Sequence, residues 1–478
     1  MSDQQPSSVH VDGVHRMLPS GITIMVAGGG VGGLLFALEA WRQGHEVRVF
    51  EKSPKLETLG DTFGIMATAF VTLRYFPNMK AQFERESYDA KMSLWDYAGN
   101  KLVHVGDGPW NHEGAVHPAK VVYIPWIESR HSIADMLTKQ CERLGIKINY
   151  GSTVVSYDET PDKAILTIER GGTTSREEAD IAVAADGVGT RSHNFITGRE
   201  VKATSSGYSI YRGTIPTHVI KSKLSPRIVN KFFPENGEDE FRIYLSPPDT
   251  HTNIILTKDV FGYAATYKDP NYKTKDIKED WNSTVSSDEL INRYSSYDPD
   301  LLEIFRLVPD NSVTDWTLRW RDPQPNWTSA GGRVVQLGDS AHAFLPTSGN
   351  GATQACEDAL SLATCLRIAG KGKESIATKV HNKLRFERVS TIQRFGVITR
   401  SVLHRVDLDA VRKHPEVLKE QMTMPEFIWG HDPVQYAIDN YAAAEKHITE
   451  GADFENTNLP PGYKYAAWTV ASEMEGDE

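Results

Sequence analysis

Residues 22–51 read ITIMVAGGGVGGLLFALEAWRQGHEVRVFE, and this stretch decides the fold class. A β-branched apolar run leads into a glycine cluster, after which apolar residues such as Leu34 and Leu38 recur at helical spacing. Gly44 ends the helix, and residues 46–50 form a second strand. The stretch therefore predicts a complete βαβ unit and, with it, an α/β fold.

The glycine cluster contains the spacing G-x-G-x-x-G at Gly28, Gly30 and Gly33. In that motif the glycines allow a tight turn, a close approach to a pyrophosphate, and close packing of the helix on the strand. The pyrophosphate lies at the helix N-terminus, where free N–H groups favour negative charge. Glu51 ends the second strand and can accept hydrogen bonds from ribose hydroxyls, which favours FAD or NAD over NADP. The alternative is a glycine-rich turn without a ligand, with Glu51 an ordinary strand-end carboxylate.

The composition is that of a globular protein and narrows the choice of partners. The 478 residues carry a net charge of −11, and Lys and Arg do not cluster on one element, which argues against nucleic acid. The three cysteines form no C-x-x-C pair, as expected for buried thiols in a reducing compartment, and no metal site is predicted. The N-terminus lacks the apolar core of a signal peptide, and no long apolar run occurs, so we expect a cytoplasmic protein without membrane contact.

Changes of pattern along the chain predict five regions. Residues 1–20 are polar and predict a flexible arm, whereas 21–199 continue the pattern of the first βαβ unit. Short strand-like runs between Pro, Asn and Asp turns dominate 200–328, which predicts an inserted, β-rich substrate-binding domain. An apolar strand and long helices return in 329–410 as the second part of the first domain, and 411–478 form a helical or irregular C-terminal appendage.

Three further stretches make the interpretation specific. Arg130 opens a helix as R-x-x-I-x-x-x-L, residues 185–192 read ADGVGTRS after a buried strand, and 337–353 read LGDSAHAFLPTSGNGAT. Together with the glycine motif, and in this order, they resemble the class A flavoprotein monooxygenases, the family of para-hydroxybenzoate hydroxylase and salicylate hydroxylase. The C-terminal stretch with its aromatic segment PEFIWGHDP, residues 425–433, is similar in texture to fungal members of the family that act in secondary metabolism. The resemblance covers residues 22–370. It implies a Rossmann-like FAD-binding domain of the GR2 type, with an inserted β-sheet-rich substrate domain and C-terminal helices.

The stretch after the last predicted strand suits a flavin on physical grounds. Asp339 stands at the C-terminal edge of the sheet, where ligands bind in open α/β sheets, and it can accept hydrogen bonds from a ribityl chain. Gly351 and Ala352 begin a long helix whose N–H groups offer a positive end to the N1 and C2=O side of a reduced flavin. The alternative for Asp339 is a cap on the following turn.

The resemblance implies further cofactor contacts. The region of Pro346 faces the reactive edge of the isoalloxazine ring in the family, and Gly64, at the end of the polar loop after the second strand, is counted with this site. Arg130 meets the pyrophosphate or adenosine end of FAD, unless it is a solvated surface residue. Asp186 serves both FAD and the nicotinamide cofactor in the family, although Asp-Gly also favours a plain turn. Asn350 stands where the family more often has Gln, and Thr353 where Asn is common, which leaves the role of the backbone intact.

The resemblance also implies a reaction. NADPH or NADH binds transiently, reduces FAD and leaves, after which O2 gives a flavin C4a-hydroperoxide that transfers one oxygen atom to an electron-rich substrate. The preferred hypothesis is hydroxylation of a phenolic, polyketide-like aromatic small molecule. Indole-alkaloid epoxidation, oxidative decarboxylation and oxidative dearomatisation use the same flavin species and remain alternatives. We expect a monomer or a homodimer.

The strand-rich region offers two candidate catalytic residues. Arg212, in the stretch GYSIYRG, resembles the family's aromatic-x-Arg-Gly strand and can hold a phenolate or carboxylate through charge-assisted hydrogen bonds. An ion pair within the sheet is the alternative for this arginine. Tyr244, on the next long strand, is a second candidate for orienting the same oxygen. The aromatic candidates for the pocket lining are Tyr211, Phe344 and Trp95.

Two functions from other classes remain as alternatives. One is a non-catalytic FAD-binding protein, against which the presence of Asp339 and of the loop at 346–352 argues. The other is an NAD-dependent dehydrogenase, which has no use for these two features. A pyridine nucleotide disulfide reductase would need a second dinucleotide motif and a redox cysteine pair, and the sequence has neither.

Overall fold

The computed structural model describes residues 9–56, 62–119, 121, 123–235, 237–271 and 283–474. Its strands are β1 Val9–Val11, β2 Val14–Arg16, β3 Thr23–Ala27, β4 Glu46–Phe50, β5 Thr62–Gly64, β6 Lys91–Asp96, β7 Lys101–Gly106, β8 Ile127–Ser129, β9 Lys147–Asn149, β10 Thr153–Glu159, β11 Ala164–Arg170, β12 Thr173–Ala179, β13 Ile181–Ala184, β14 Thr204–Pro216, β15 Glu240–Ser246, β16 Thr250–Leu256, β17 Val260–Lys268, β18 Thr284–Val285, β19 Val313–Trp320 and β20 Val334–Gln336.

The α-helices are α1 Val31–Arg42, α2 Pro77–Glu86, α3 Arg130–Arg143, α4 Ser192–Thr197, α5 Thr217–Lys223, α6 Pro226–Phe232, α7 Ser287–Arg293, α8 Pro299–Phe305, α9 Gly351–Ala369, α10 Glu374–Arg405, α11 Leu408–Lys413, α12 Pro415–Met422, α13 Glu426–Trp429, α14 Pro433–Glu450 and α15 Val470–Met474. Short 3₁₀ helices cover Ala67–Arg74, Pro109–Asn111, Gly338–Ser340 and Pro346–Ser348. Within the described ranges, no helix combines the length and the hydropathy needed to cross a membrane.

A five-stranded parallel sheet carries the predicted βαβ unit, in the strand order β20–β13–β3–β4–β9. Its central strands β3 and β13 are almost entirely buried, because α1 and α9 cover one face and the antiparallel sheet β10–β11–β12 packs on the other. The strand, helix and strand expected in residues 22–51 are present as β3, α1 and β4, so the predicted α/β class is confirmed. The carboxyl ends of β3, β13 and β20 meet at one edge.

Residues 9–20 are packed against the domain, whereas the sequence predicts a flexible arm. β1 and β2 form a hairpin, and the side chain of Val14 is fully buried. Arg16 donates to the carbonyl oxygens of Trp41 and His45 at 3.1 and 3.0 Å. Trp41 lies in the last turn of α1 and His45 follows the helix, and the negative end of a helix dipole favours a cationic donor there. Residues 1–8 lie outside the described part of the chain.

An eight-stranded sheet forms the second large unit, in the order β18–β19–β14–β17–β16–β15–β6–β7. The hairpin β6–β7 joins this sheet through a parallel pairing of β6 with β15, although it precedes residue 200 in the chain. We call its two sides the outer face, which packs on helices α5–α8, and the inner face, which packs on the unit that contains the five-stranded sheet and on α10.

The C-terminal appendage is fastened to α10 by a buried arginine. Arg388 donates to the carbonyl oxygens of Phe427, Ile428 and Asn458 at 2.7, 3.0 and 3.1 Å. Its Nε also bonds Glu357 of α9 at 2.9 Å. A guanidinium has five donors in a fixed plane, so one side chain can hold several separate segments together.

Candidate functional site

The three glycines of the motif have three different surroundings. Gly28 has φ +108°, and a Cβ on it would lie 2.2 Å from the carbonyl oxygen of Ala185. A Cβ on Gly33 would lie 2.2 Å from the carbonyl oxygen of Gly28, so α1 packs on the turn without a side chain between them. A Cβ on Gly30 would meet nothing within 4 Å. Gly30 therefore faces open space, as the approach of a pyrophosphate requires.

Glu51 organises this loop as well as ending β4. Its Oε2 accepts a hydrogen bond from the Gly29 N–H at 2.6 Å, and its Oε1 accepts one from the Ser53 N–H at 2.8 Å. Each carboxylate oxygen has a further lone pair, so hydroxyl donors from a ribose can still bind. The carboxylate is thus oriented by the backbone beside the open face of Gly30.

Asp186 follows the central strand β13 and is held by two hydroxyl groups. Tyr157 Oη donates to its Oδ2 at 2.7 Å, and Ser340 Oγ donates to its Oδ1 at 3.1 Å. Burial raises the pKa of Asp186, while these hydrogen bonds oppose the rise. The Gly187 N–H donates to Ser340 Oγ at 2.9 Å, so the loops after β13 and β20 are tied to each other.

Asp339 lies on the 3₁₀ turn after β20 with its side chain exposed. Its carboxylate has no hydrogen-bond partner in the described part of the chain, so it is available to a polyol. The turn itself is anchored from below, because Asp358 Oδ2 accepts from the Gly338 N–H at 3.1 Å and bonds His342 Nε2 at 2.6 Å. Arg385 Nε in turn donates to Asp358 at 2.9 Å.

The N-terminus of α9 is open and lies beside β5. Gly349 is left-handed, with φ +59°, and turns the chain from the Pro346–Ser348 segment into the helix. A Cβ on Gly64 would lie 3.0 Å from the Cα of Gly349, so the structure brings these two backbone segments into contact. Pro346 is exposed, and Gly351 and Ala352 are half-buried. Their N–H groups make this end of α9 attractive to negative charge.

Asn350 and Thr353 have local roles in this region. The Asn350 Nδ2 donates to the carbonyl oxygen of Ser348 at 2.6 Å, which stabilises the turn. Thr353 Oγ1 accepts from the Met66 N–H at 2.9 Å and links α9 to the segment after β5. Both side chains are buried, so the differences from the family pattern leave the exposed backbone unchanged.

Arg130 is exposed at the start of α3 and lies near β5. Its guanidinium carbon is 5.8 Å from the centroid of the Phe63 ring. β5 and β8 pair antiparallel, with Gly64 opposite Ile127, so the start of α3 adjoins the same edge as Gly64. The structure therefore groups Arg130 with the predicted cofactor residues.

The two predicted catalytic residues lie on opposite faces of the large sheet. Arg212 is directly opposite Ala264, which is opposite Asn253, and this row belongs to the inner face. Tyr244 is opposite Thr252 and Trp95, in the neighbouring row that belongs to the outer face. The prediction that Tyr244 orients the same oxygen as Arg212 is therefore wrong.

The environment of Tyr244 is a closed aromatic cluster. Its ring stacks on Trp95 with centroids 5.9 Å apart, and burial raises its pKa to about 12. Tyr211, on the same face, donates to Glu289 of α7 at 2.5 Å. Tyr211 and Trp95 thus do not line the inner face, whereas Phe344 contacts the site, 3.3 Å from the position of a Cβ on Gly351.

The inner face contains functional candidates that the sequence interpretation missed. Asn253 and Thr266 lie on it beside Arg212, and His404 and Arg400 reach it from α10. Alternation along a strand shows which residues share a face within that strand, but it gives no register between strands. Nothing in the sequence pattern of α10 marks these two residues.

The cofactor-binding candidates form one continuous edge. The open face of Gly30, the oriented Glu51, the exposed Asp339 and the half-buried N-terminus of α9 lie along the carboxyl ends of β3, β4, β13 and β20. This donor and acceptor set fits FAD, with a pyrophosphate at α1, hydroxyl groups at the carboxylates and a ring at α9. No group of His, Cys, Asp and Glu that could hold a metal ion occurs in the described ranges. Fold and site together define a flavoprotein.

Comparison with known proteins identifies the family. The model of the FAD binding domain family matches residues 22–384, and the chain belongs to this family. The chain is 37% identical over 472 residues to the FAD-dependent monooxygenase fsr3 of Gibberella fujikuroi, an alignment that covers 97% of this chain and 88% of that protein. It is 33% identical over 458 residues to the FAD-dependent monooxygenase mdpD of Emericella nidulans, with 94% and 87% covered.

Solved structures agree with this assignment. CtdE in complex with FAD and a substrate superimposes with a TM-score of 0.78 at 26% identity, covering 90% of this chain and 100% of that chain. A salicylate hydroxylase substrate complex shares the fold, with a TM-score of 0.67 at 22% identity over 87% and 97% of the two chains. The predicted class A flavoprotein monooxygenase is confirmed, and its cofactor is FAD.

Proposed function

We propose that this FAD-dependent monooxygenase uses NADPH or NADH and O2 to insert one oxygen atom into a phenolic, polyketide-like aromatic molecule. The observation that carries the proposal is the half-buried cation Arg212 on the inner face of the large sheet. On the same face, Ile210 packs in one cluster with Leu345, which directly precedes the turn at α9. A substrate bound along this face would therefore lie between Arg212 and the N-terminus of α9.

The residues that would hold FAD are proposed from the geometry of the edge. We assign them as Gly28, Gly30, Gly33, Glu51, Gly64, Arg130, Asp186, Asp339, Pro346, Gly351 and Ala352. When bound, the flavin accepts electrons from a nicotinamide cofactor and activates O2 for transfer of one oxygen atom. The protein supplies orientation, charge stabilisation and a dry pocket.

Arg212 would bind an ionised phenol or a carboxylate of the substrate. A guanidinium forms two charge-assisted hydrogen bonds with such groups and fixes their plane. By favouring the phenolate over the phenol, it raises the electron density of the ring that receives the oxygen. The Trp316 ring, 5.9 Å from the guanidinium carbon, lies on the same face and adds apolar surface.

The inner face would also exclude water from the reaction. Beside the row that contains Arg212, this face presents apolar side chains. Ile210, Leu318 and Trp320 pack there against Leu345 and Val397. Exclusion of water protects reactive intermediates from side reactions and strengthens the electrostatic interactions within the site. This environment suits oxygen transfer better than the release of hydrogen peroxide.

The experiment that tests this proposal combines cofactor content with anaerobic reduction. Purified protein is expected to carry FAD, and NADPH or NADH should bleach the flavin faster when an aromatic ligand is present. Gly30→Val should fold normally and lose FAD, because its side chain would occupy the open space beside the loop. Gly28→Ala is the matched variant that should also destabilise the fold, since its Cβ would clash. FAD retained by Gly30→Val, or flavin that neither nucleotide bleaches, would refute the proposal.

A further inference from the structure

The described C-terminal end of the chain crosses α10 and reaches the large sheet. Residues 463–469 have no regular secondary structure, and α15 follows them directly. We call residues 463–473 the C-terminal strap. Within it Tyr465 and Trp468 are half-buried and Val470 is buried, whereas the residues between them are exposed. A segment without helix or strand pairing keeps its place through the contacts of its side chains, so these contacts show what it covers.

The strap is bonded to α10 at two positions. The indole N–H of Trp468 donates to Ser390 Oγ at 3.0 Å and to the Ser390 carbonyl oxygen at 3.2 Å. One turn further along α10, Arg394 forms an ion pair with Glu473, with the nitrogen and the oxygen 3.1 Å apart. The Arg394 side chain is 39% exposed and that of Glu473 is 16% exposed, so water screens this pair only in part. These contacts lay the strap along the middle of α10.

The strap is also bonded to the chain just beyond β19. The backbone N–H of Val470 donates to Asp322 Oδ1 at 2.7 Å, and Asp322 lies two residues after the end of that strand. The preceding residue, Arg321, donates to the carbonyl oxygens of Val188 and Asp339 at 2.7 and 3.3 Å. These two carbonyls belong to the loops after β13 and β20, so the strap is attached next to the cofactor edge.

The buried side of the strap joins the apolar cluster between the inner face and α10. Val470 is 8% exposed and belongs to this cluster, and Trp468 packs against it. Other members of the cluster are Ile210 and Leu318 of the sheet, and Leu345, which precedes the turn at α9. Packing of these side chains removes apolar surface from water and closes the space beneath them to solvent.

This cluster adjoins the turn beside which the flavin ring is assigned. Thr347, in that turn, donates to the carbonyl oxygen of Gly396 on α10 at 3.1 Å. A Cβ on Gly396 would lie 2.6 Å from the Cβ of Ser348, so the helix is pressed against the turn. Gly396 comes two residues after Arg394, where α10 contacts the strap. The strap therefore covers the place where the inner face, α10 and the turn meet.

We propose that the C-terminal strap forms a wall of the substrate site, and that Val470 and Trp468 keep bulk water from the flavin ring by closing the gap between β19 and α10. The inference rests on the proposed function, in which the substrate lies between Arg212 and the N-terminus of α9. It adds the residues that close this site. Because exclusion of water prevents side reactions of reactive intermediates, the strap sets how much oxygen is transferred rather than lost as hydrogen peroxide.

Proteolysis measures how often the strap detaches. Lys464 is exposed within the strap, and the rate of trypsin cleavage after it, followed by mass spectrometry, reflects the population of the detached form. Val470→Asp should speed this cleavage at least about tenfold, because a charge would enter the apolar cluster. Glu473→Gln should speed it about threefold by removing the ion pair. Glu455→Gln, which removes an exposed carboxylate from the irregular segment before the strap, is the control and should leave the rate unchanged.

Acrylamide quenching of flavin fluorescence measures access of solvent to the ring. In the FAD-loaded protein, Val470→Asp should raise the quenching constant at least about threefold, with FAD content unchanged. Arg394→Glu should raise it about twofold, because two carboxylates would repel each other at the contact with Glu473. Adding Glu473→Arg should return the constant to the wild-type value, since the ion pair forms again with the charges exchanged. A general loss of folding would not be reversed by the second substitution.

Two results would overturn the proposal. One is that Val470→Asp speeds cleavage after Lys464 but leaves quenching unchanged, since the strap would then cover another surface. The other is that no strap variant speeds the cleavage. Where Val470→Asp does not fold, the charge reversals decide, and a quenching constant that does not rise with Arg394→Glu, or does not return when Glu473→Arg is added, overturns the proposal. Failure of the proposed function is a separate result: quenching would still depend on the strap while NADPH and NADH leave the flavin oxidised.

Discussion

The two faces of the eight-stranded sheet differ in what fills them. On the outer face, large aromatic residues such as Tyr211 and Tyr244 are fully buried against α5–α8. On the inner face, the opposed row of Arg212, Ala264 and Asn253 is only half-buried. Half-buried small and polar residues on a covered face leave space that a ligand can occupy. One face of the sheet therefore packs against helices and the other has room for a ligand, although both carry residues that look catalytic in the sequence.

The largest expected effect concerns the stability of the outer face. Tyr244→Ala should lower the free energy of unfolding by about 3–5 kcal/mol, because it leaves a cavity in a closed aromatic cluster. Arg212→Ala, on the inner face, should lower it by less than about 1 kcal/mol. Urea denaturation of the two variants measures both values. Equal losses would show that the two faces are packed alike.

The second effect concerns catalysis on the inner face. Arg212→Gln should reduce kcat/KM by about a hundredfold while FAD content stays normal, because a charge-assisted contact with the substrate is lost. Tyr244→Phe should change kcat/KM by less than about threefold, since its hydroxyl lies on the other face. Steady-state kinetics with a substrate that couples NAD(P)H oxidation to product formation measure kcat/KM for both variants. A large loss in Tyr244→Phe would contradict the separation of the faces.

The third effect is a pH dependence of stability. The folded-state pKa of His404 is about 3, below the ordinary value of 6.5, so the unfolded chain binds its proton first as pH falls. The stabilisation is complete above pH 6.5 and is lost between there and about pH 3. At pH 5 the loss from this residue should be on the order of 2 kcal/mol. His404→Asn should flatten the fall in unfolding free energy between pH 7 and 5, and an unchanged slope would contradict the burial argument.

The smallest effect comes from filling the inner face. Ala264→Leu should weaken binding of an aromatic substrate by about tenfold with little loss of stability, since Ala264 is only half-buried on the inner face. Its neighbour Ala265 is buried on the outer face, so Ala265→Leu should instead cost about 1–3 kcal/mol of stability by overpacking. Titration and thermal unfolding of both variants give the comparison. The difference between the two faces is contradicted if Ala264→Leu is the less stable variant and still binds the substrate normally.

The sequence predicts the cofactor edge far better than the substrate face. The cofactor residues directly follow or adjoin strands that alternate with helices in the sequence, a pattern that predicts a parallel sheet. The positions of the βαβ unit, of Asp339 and of the start of α9 could therefore be predicted. The contact of Gly64 with Gly349 depends on how segments that are distant in the chain pack together, so no local sequence pattern predicts it.

The substrate face depends on pairings that alternation does not encode. Arg212 and Tyr244 lie on strands whose relative register is set by the whole sheet, so sequence alone could not place them on opposite faces. The hairpin β6–β7 joins that sheet across a parallel pair with β15, a pairing that the order of the chain does not suggest. His404 lies late in a helix that looks like an ordinary packing helix until the sheet beneath it is known.

The central claim is that a substrate on the inner face receives one oxygen atom from O2. The most direct measurement is aerobic turnover under ¹⁸O2 with NADPH, across fused-ring phenols and phenolic acids, with hydrogen peroxide quantified and products analysed by mass spectrometry. We expect at least one such compound to accelerate flavin reduction, suppress peroxide release and gain a single ¹⁸O atom, and we expect Arg212→Gln to lose this coupling. Electrons recovered entirely as peroxide with every compound, and no ¹⁸O in any product, would contradict it.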